Sequence, residues 1–204
     1  LEEKRMNYMG ETYISARYRK DDFNNLELGI NSDERDWEFA IKIFKDRIKG
    51  RYLNIVDKII SDGCLMIDGF SVMALNCLII ETLLQFKNGW DETPRRSNCE
   101  EYKKFLLQEF PEVFIDETMA HKFYTDIRCG ILHSAQTKNV SQLTVNEEYI
   151  AKLINGGRGI SVDVVGISRI ISEYFENYIE KLKDCRNKGE RYCFLKKMKY
   201  LCEK

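Results

Sequence analysis

"DGFSVMALNCLIIETLLQFKNG", residues 68–89, is the stretch on which the fold turns. It is too long for a strand, and a helix built from it is apolar on almost every side. At about 100° per residue, Ser71, Glu81, Thr82 and Gln85 fall within an arc of roughly 100°. Only Asn76 lies opposite them. Such a helix belongs in the middle of a packed assembly of helices, with its narrow polar stripe against something polar. Asn88-Gly89 stops it.

On its N-terminal side, Trp37, Ala40, Ile41, Phe44, Ile48, Tyr52, Ile55, Val56 and Ile59 recur at steps of three and four. This spacing predicts one long amphipathic helix ending near Asp62-Gly63. Residues 1–33 are polar and aperiodic, and read as an N-terminal arm. On the C-terminal side, "SNCEEYKKFLLQEF" opens with a capping-box pattern, Ser97 to Glu100, and stops at Pro111. A further helix is predicted from about Asp116 to His133, with Met119, Ala120, Phe123, Ile127 and Ile131 on its inner face. "SQLTV" and "GISVDVV" then show short β-like runs, on either side of "EEYIAKLINGGRG" with its turn glycines. A helix from about Gly166 to Asp184 and a basic terminal helix follow. The expected class is all-α: an antiparallel helical bundle over residues 34–185, with a small β-hairpin or flap near 140–165 inside a 134–165 insertion. The arm (1–33) and the C-terminal helix (186–204) flank it.

The 204 residues suit one domain, and a 44% hydrophobic content is enough for a core. A net charge of −1 argues against a coat for long duplex DNA. The last 24 residues nevertheless hold nine Lys or Arg against three acids, a solvated helix face or a polyanion contact. The seven cysteines include no C-x₂₋₄-C pair, and neither histidine has a second one nearby. No metal site or cofactor is therefore expected, and free thiols suit a reducing cytoplasm. With no run of about 18 apolar residues and no signal pattern, neither a membrane span nor export is expected.

Dinucleotide-binding, P-loop, zinc-protease and nucleophile-elbow motifs are absent. What remains is "FYTDIRCGILHSAQTKN", residues 123–139, which sets Arg128 and His133 five residues apart near a helix end. On an ideal helix they diverge by about 140°, flanking an outward face. They act together only if the helix is distorted or another surface completes the site. Gly130 admits a second backbone, and a two-fold-related copy is the simplest one. His121, the other histidine, reads as structural.

"RCGILH" fits the R-x₄₋₆-H motif of the HEPN domain, an all-helical family, and "LIIETLLQF" resembles the helix that packs beside its motif helix. The likeness covers roughly residues 34–185, apart from the 134–165 insertion. It implies a homodimer in which paired His133 and Arg128 side chains form a metal-independent endoribonuclease site for single-stranded RNA. Glu81, Asp126 and Asn76 are the candidate supporting residues. Other members of the family are inactive binding modules, so a regulator using the same groove for a nucleotide or protein partner is the alternative. From the residues themselves, the macrodipole accounts for His133 at a helix C-terminus, and Glu81 or Asp126 is an available structural partner for Arg128.

Overall fold

The computed structural model describes residues 12–203, and these are mostly helical with one small sheet. Helix α1 spans Lys20–Asn24 and α2 spans Glu34–Ile48. Asp33 caps α2, its carboxylate accepting from the backbone N–H groups of Arg35 and Asp36 at 2.9 and 3.0 Å. One π-helical turn, Lys49–Leu53, leads directly into α3, Asn54–Asp62, so the predicted long helix is present with a wide turn in its middle. Helix α4 is Leu65–Asn88 and α5 is Asn98–Glu109. The capping box foreseen at Ser97 does not form. Its N–H closes a turn onto the Pro94 carbonyl, and its backbone (φ −117°, ψ 13°) is not extended as a capping residue requires.

Helix α6, Glu117–Lys122, is capped by Asp116. A second π-helical segment, Phe123–Arg128, follows, and then α7, Cys129–Ser134. The sheet holds β1 (Gln142–Thr144), β2 (Ala151–Ile154) and β3 (Gly159–Asp163) in the order β1-β3-β2. A hairpin is present between β2 and β3, paired antiparallel from Ala151↔Val162 to Ile154↔Gly159. Its turn uses left-handed Asn155, Gly156 and Gly157. The two β-like runs read from the sequence, β1 and β3, instead pair in parallel, and the intervening segment supplies both the crossover and β2. Helices α8 (Val164–Lys183) and α9 (Lys188–Glu203) complete the chain.

Two compact units emerge. The first gathers the described residues up to Asn54, with Phe86–Asp91 and Tyr178 onward. Its centre is aromatic: Phe44 lies 4.4 Å from Phe86 and 5.3 Å from Phe194, ring centre to ring centre. Burying each such ring contributes about 1.5–3 kcal/mol. Most of the basic C-terminal helix's buried charge is structural here. Arg191 lies over the Trp37 ring and donates to the Leu182 and Lys183 carbonyls and to Glu34, while Lys197 donates to the Asp91 carbonyl.

The expected arm is likewise packed over its described part. Ile14, Phe23 and Leu28 are buried, and Asp46 accepts from Ser15 Oγ, Arg17 N–H and Arg17 Nε. Its segments are too short to show a period, which is why the sequence looked unstructured. Residues 1–11 of that arm lie outside the described residues.

The second unit, residues 55–85 and 92–177, has its own aromatic centre, with Tyr102, Phe105, Phe110, Phe114 and Phe123 buried. Within it, α4 is a core helix. Leu65–Asn88 is long and apolar enough to cross a membrane, but half of its most apolar window is buried in the protein. It also carries buried Asn76 and the ion-paired Glu81.

Candidate active site around Arg128 and His133

Asp126 organises this region. It is 1% exposed, and its carboxylate accepts from Thr125 Oγ1 at 3.0 Å, Asn139 Nδ2 at 2.9 Å and Ser141 Oγ at 2.8 Å. Lys122 Nζ lies 3.6 Å away, one turn back. Burial alone raises the pKa of such a carboxyl. The hydrogen bonds from Ser141, Asn139 and Thr125, with the Lys122 charge, outweigh it and hold Asp126 below the usual aspartate value. The Asp126 carbonyl accepts from Lys138 N–H, and Ser141 Oγ accepts from Ile160 N–H in β3. The polar run after the motif is thereby tied to both the motif helix and the sheet. It is not a frayed end.

Gly130 fits the same design. A β-carbon there would stand 2.5 Å from the Gln136 carbonyl oxygen and 3.1 Å from Lys138 N. The second backbone that the glycine admits is therefore the chain's own loop, not a copy of the protein. Ala135, left-handed at φ 52°, turns the chain back to make that approach.

Arg128 points the other way, into a network of side chains from three helices. Its Nη2 donates to Glu81 Oε2 of α4 at 2.5 Å. Its guanidinium lies 5.4 Å from the centre of the Tyr124 ring. The Tyr124 hydroxyl donates to Asn98 Oδ1 of α5 at 2.8 Å, and Asn98 Nδ2 reaches Glu81 Oε1 at 3.4 Å. The ring of contacts closes on itself. Burial works against the Arg128 charge, but the Glu81 hydrogen bond and charge outweigh it, so its pKa rises above the ordinary arginine value. Burial and the neighbouring Cys129 push the Tyr124 phenol up to about 12, so it remains a neutral donor. Only Arg128 Nε is left over, buried with no hydrogen-bond partner, while Nη1 has the weak Cys129 sulfur contact at 3.8 Å.

His133 is exposed, and among the described residues no hydrogen bond or ion pair holds its ring. His121 is also exposed, with Nδ1 3.9 Å from Cys99 Sγ.

Of the supporting residues expected, Glu81 is brought to Arg128. Asp126 is not, because its carboxylate is spent on the 135–141 loop. Nor is Asn76, whose amide donates to Ser168 Oγ of α8 at 2.8 Å. Tyr124 and Asn98 went unforeseen. Tyr124 stands four residues before Arg128, a spacing that signals a shared helix face; nothing local marks Asn98. Among the described residues, no three His, Cys, Asp or Glu side chains cluster where they could hold a metal ion.

Compared with family models, curated proteins and solved structures, the chain matches none of them.

Proposed function

We propose that the chain is a HEPN-like endoribonuclease on an antiparallel helical bundle, cytoplasmic and active as a homodimer that brings two Arg128–His133 pairs together on single-stranded RNA. The observation that carries this reading is the contrast within the pair. Arg128 is fixed by Glu81 and Tyr124 on the helix that ends in an exposed His133, whose ring nothing among the described residues holds. A fixed guanidinium supplies orientation to a phosphate, and a solvent-facing imidazole is free to move a proton. In the reaction, one His133 takes the proton of the 2′-hydroxyl as its oxygen attacks the adjacent phosphorus. The P–O5′ bond breaks, the second His133 protonates the departing 5′-oxygen, and a 2′,3′-cyclic phosphate remains. Arg128 donors stabilise the charge that grows on the phosphate oxygens. No group beyond these side chains enters that scheme.

A second reading has an observation of its own. Glu81 already matches the Arg128 charge, as expected of an inactive module that uses this groove for a nucleotide or a protein regulator. Glu81→Gln separates the two. If Glu81 only orients a catalytic Arg128, the variant binds RNA at least as tightly and cleaves it more slowly. If the pair is structural, the variant loses stability, and neither it nor the wild type cleaves RNA. Incubating wild-type protein with a single-stranded RNA and the matching DNA is the first assay: RNA cut to cyclic-phosphate ends with DNA intact supports the nuclease, and intact RNA at every protein concentration overturns it.

A further inference from the structure

Two surface features of the chain, one in each unit, are apolar at the centre and carry opposite charges beside it. In the first unit, Leu28, Ile30, Tyr192 and Leu195 are among the residues that line a groove of about 320 Å³. Leu28 and Leu195 are buried, and Tyr192 is 57% exposed. Lys196 and Lys199 line the same groove from α9, and the four- and three-residue steps from Tyr192 keep all three on one helix face. Both lysines are exposed, and neither has an ion-pair partner among the described residues. In the second unit, the turn between α5 and α6 shows the reverse pattern. Val113 and Phe114 are buried, and their N–H groups donate to the Phe110 carbonyl at 3.0 and 2.9 Å, which anchors the turn. Ile115, the next residue, is 74% exposed. Glu112, Asp116 and Glu117 beside it are exposed too. Asp116 is occupied in capping α6, where it accepts from Met119 N–H at 2.9 Å. Glu112 and Glu117 have no ion-pair partner among the described residues. The helix dipole accounts for Glu117 in the first turn of α6. It does not account for an isoleucine held outward between carboxylates.

We propose that a second copy of the chain seats its Ile115 in this groove, with its Glu112 and Glu117 facing Lys196 and Lys199. Taking the isoleucine out of water against Leu28, Ile30 and Leu195 supplies the attraction. The charges around it fix the orientation and reject partners of the wrong sign. The exposed Tyr192 ring beside the lysines offers further apolar surface at the same place. Groove and turn are unlike patches, so the contact is heterologous. It closes when each copy both gives and receives, and propagates when it does not. A single apolar anchor with a charged rim suits a weak, reversible association. Neither Arg128 nor His133 takes part, so the proposal stands or falls apart from the nuclease reading.

The test is charge reversal in the full chain, read by sedimentation velocity over a micromolar to near-millimolar series. The groove variant Lys196→Glu/Lys199→Glu and the turn variant Glu112→Lys/Glu117→Lys are each expected to weaken self-association at least ~10-fold. Mixed one to one, the two should associate as the wild type does, because every contact between them again joins opposite charges. Ile115→Ser, which keeps all the charges, is also expected to weaken association by ~10-fold or more. Wild-type protein that stays monomeric throughout the series overturns the proposal. So does a mixture that restores nothing. Association that none of the variants changes overturns it as well, and assigns self-association to another face. Melting temperatures are read on the same samples. If the turn variant melts early, Glu112→Lys alone, at an exposed position outside any helix, must still weaken association several-fold and be rescued by the groove variant.

Discussion

Arg128 and His133 stand five residues apart on one run of helix, and their surroundings are opposite. The Arg128 side chain is 13% exposed and meets Glu81, itself 19% exposed, with Tyr124 and Asn98 completing the ring. His133 faces solvent, and among the described residues no hydrogen bond or ion pair holds its ring. On the same run, Asp126 just before Arg128 and Gly130 just after it hold the chain's own following loop. A short motif of this kind combines a rigid part and an open part. The rigidity comes from groups outside the motif, and the openness from what the loop leaves uncovered.

The largest effect should come from removing the tether. Asp126→Ala takes away a buried carboxylate that accepts three hydrogen bonds, and charge-assisted bonds of this type contribute about 1.5–3 kcal/mol each. A loss of about 3 kcal/mol or more, seen as a fall in melting temperature of roughly 6–12 °C, is expected. An unchanged melting temperature would mean that the loop does not depend on this residue. The pH dependence has a definite sign. With its folded pKa held below the ordinary 3.8, Asp126 contributes stability that is fully present above that value and lost as pH falls through the lower folded one. Asp126→Asn should flatten the acid limb of the stability curve, and an identical limb would assign it to other carboxylates.

Arg128→Ala comes next. It strands Glu81 in a partly buried site, at a cost of about 1–3 kcal/mol. With the two side chains only 13% and 19% exposed, screening by water is slight, so the upper part of that range is expected. A double-mutant cycle with Glu81→Gln should show coupling. Additive losses would dissolve the network into independent contacts.

The smallest effect on folding belongs to His133→Ala. Among the described residues nothing holds the ring, so stability should change by no more than about 0.5 kcal/mol in chemical denaturation. A larger loss would show that the ring has a structural partner after all and would blur the contrast with Arg128.

Much of this arrangement was legible before any coordinates. Residues 68–89 are apolar nearly all round, which only a central helix tolerates, and Glu81 on its polar stripe does meet a charge. The glycine at 130 signalled a close backbone approach. Whose backbone it was depended on Ala135 turning left-handed, and an alanine gives no hint of that. Asn98 joins the Arg128 ring from another helix, so no spacing within the motif could reveal it. Asp126 looked like a neighbour for Arg128. Its hydrogen-bond capacity was claimed instead by Asn139 and Ser141, which come within reach only once the loop has folded back. The parallel pairing of β1 with β3 was hidden for a related reason: their alternation marks strands and says nothing of partners.

The central claim is that the open half of the pair does chemistry while the closed half holds shape. The most direct measurement is RNA cleavage and melting temperature on the same preparations of wild type and His133→Ala. The account predicts cleavage reduced by at least ~10²-fold, the low end for acid–base catalysis, with the melting temperature essentially unmoved. Wild-type protein that leaves RNA intact, or a His133→Ala variant that cleaves as fast as wild type, would contradict it.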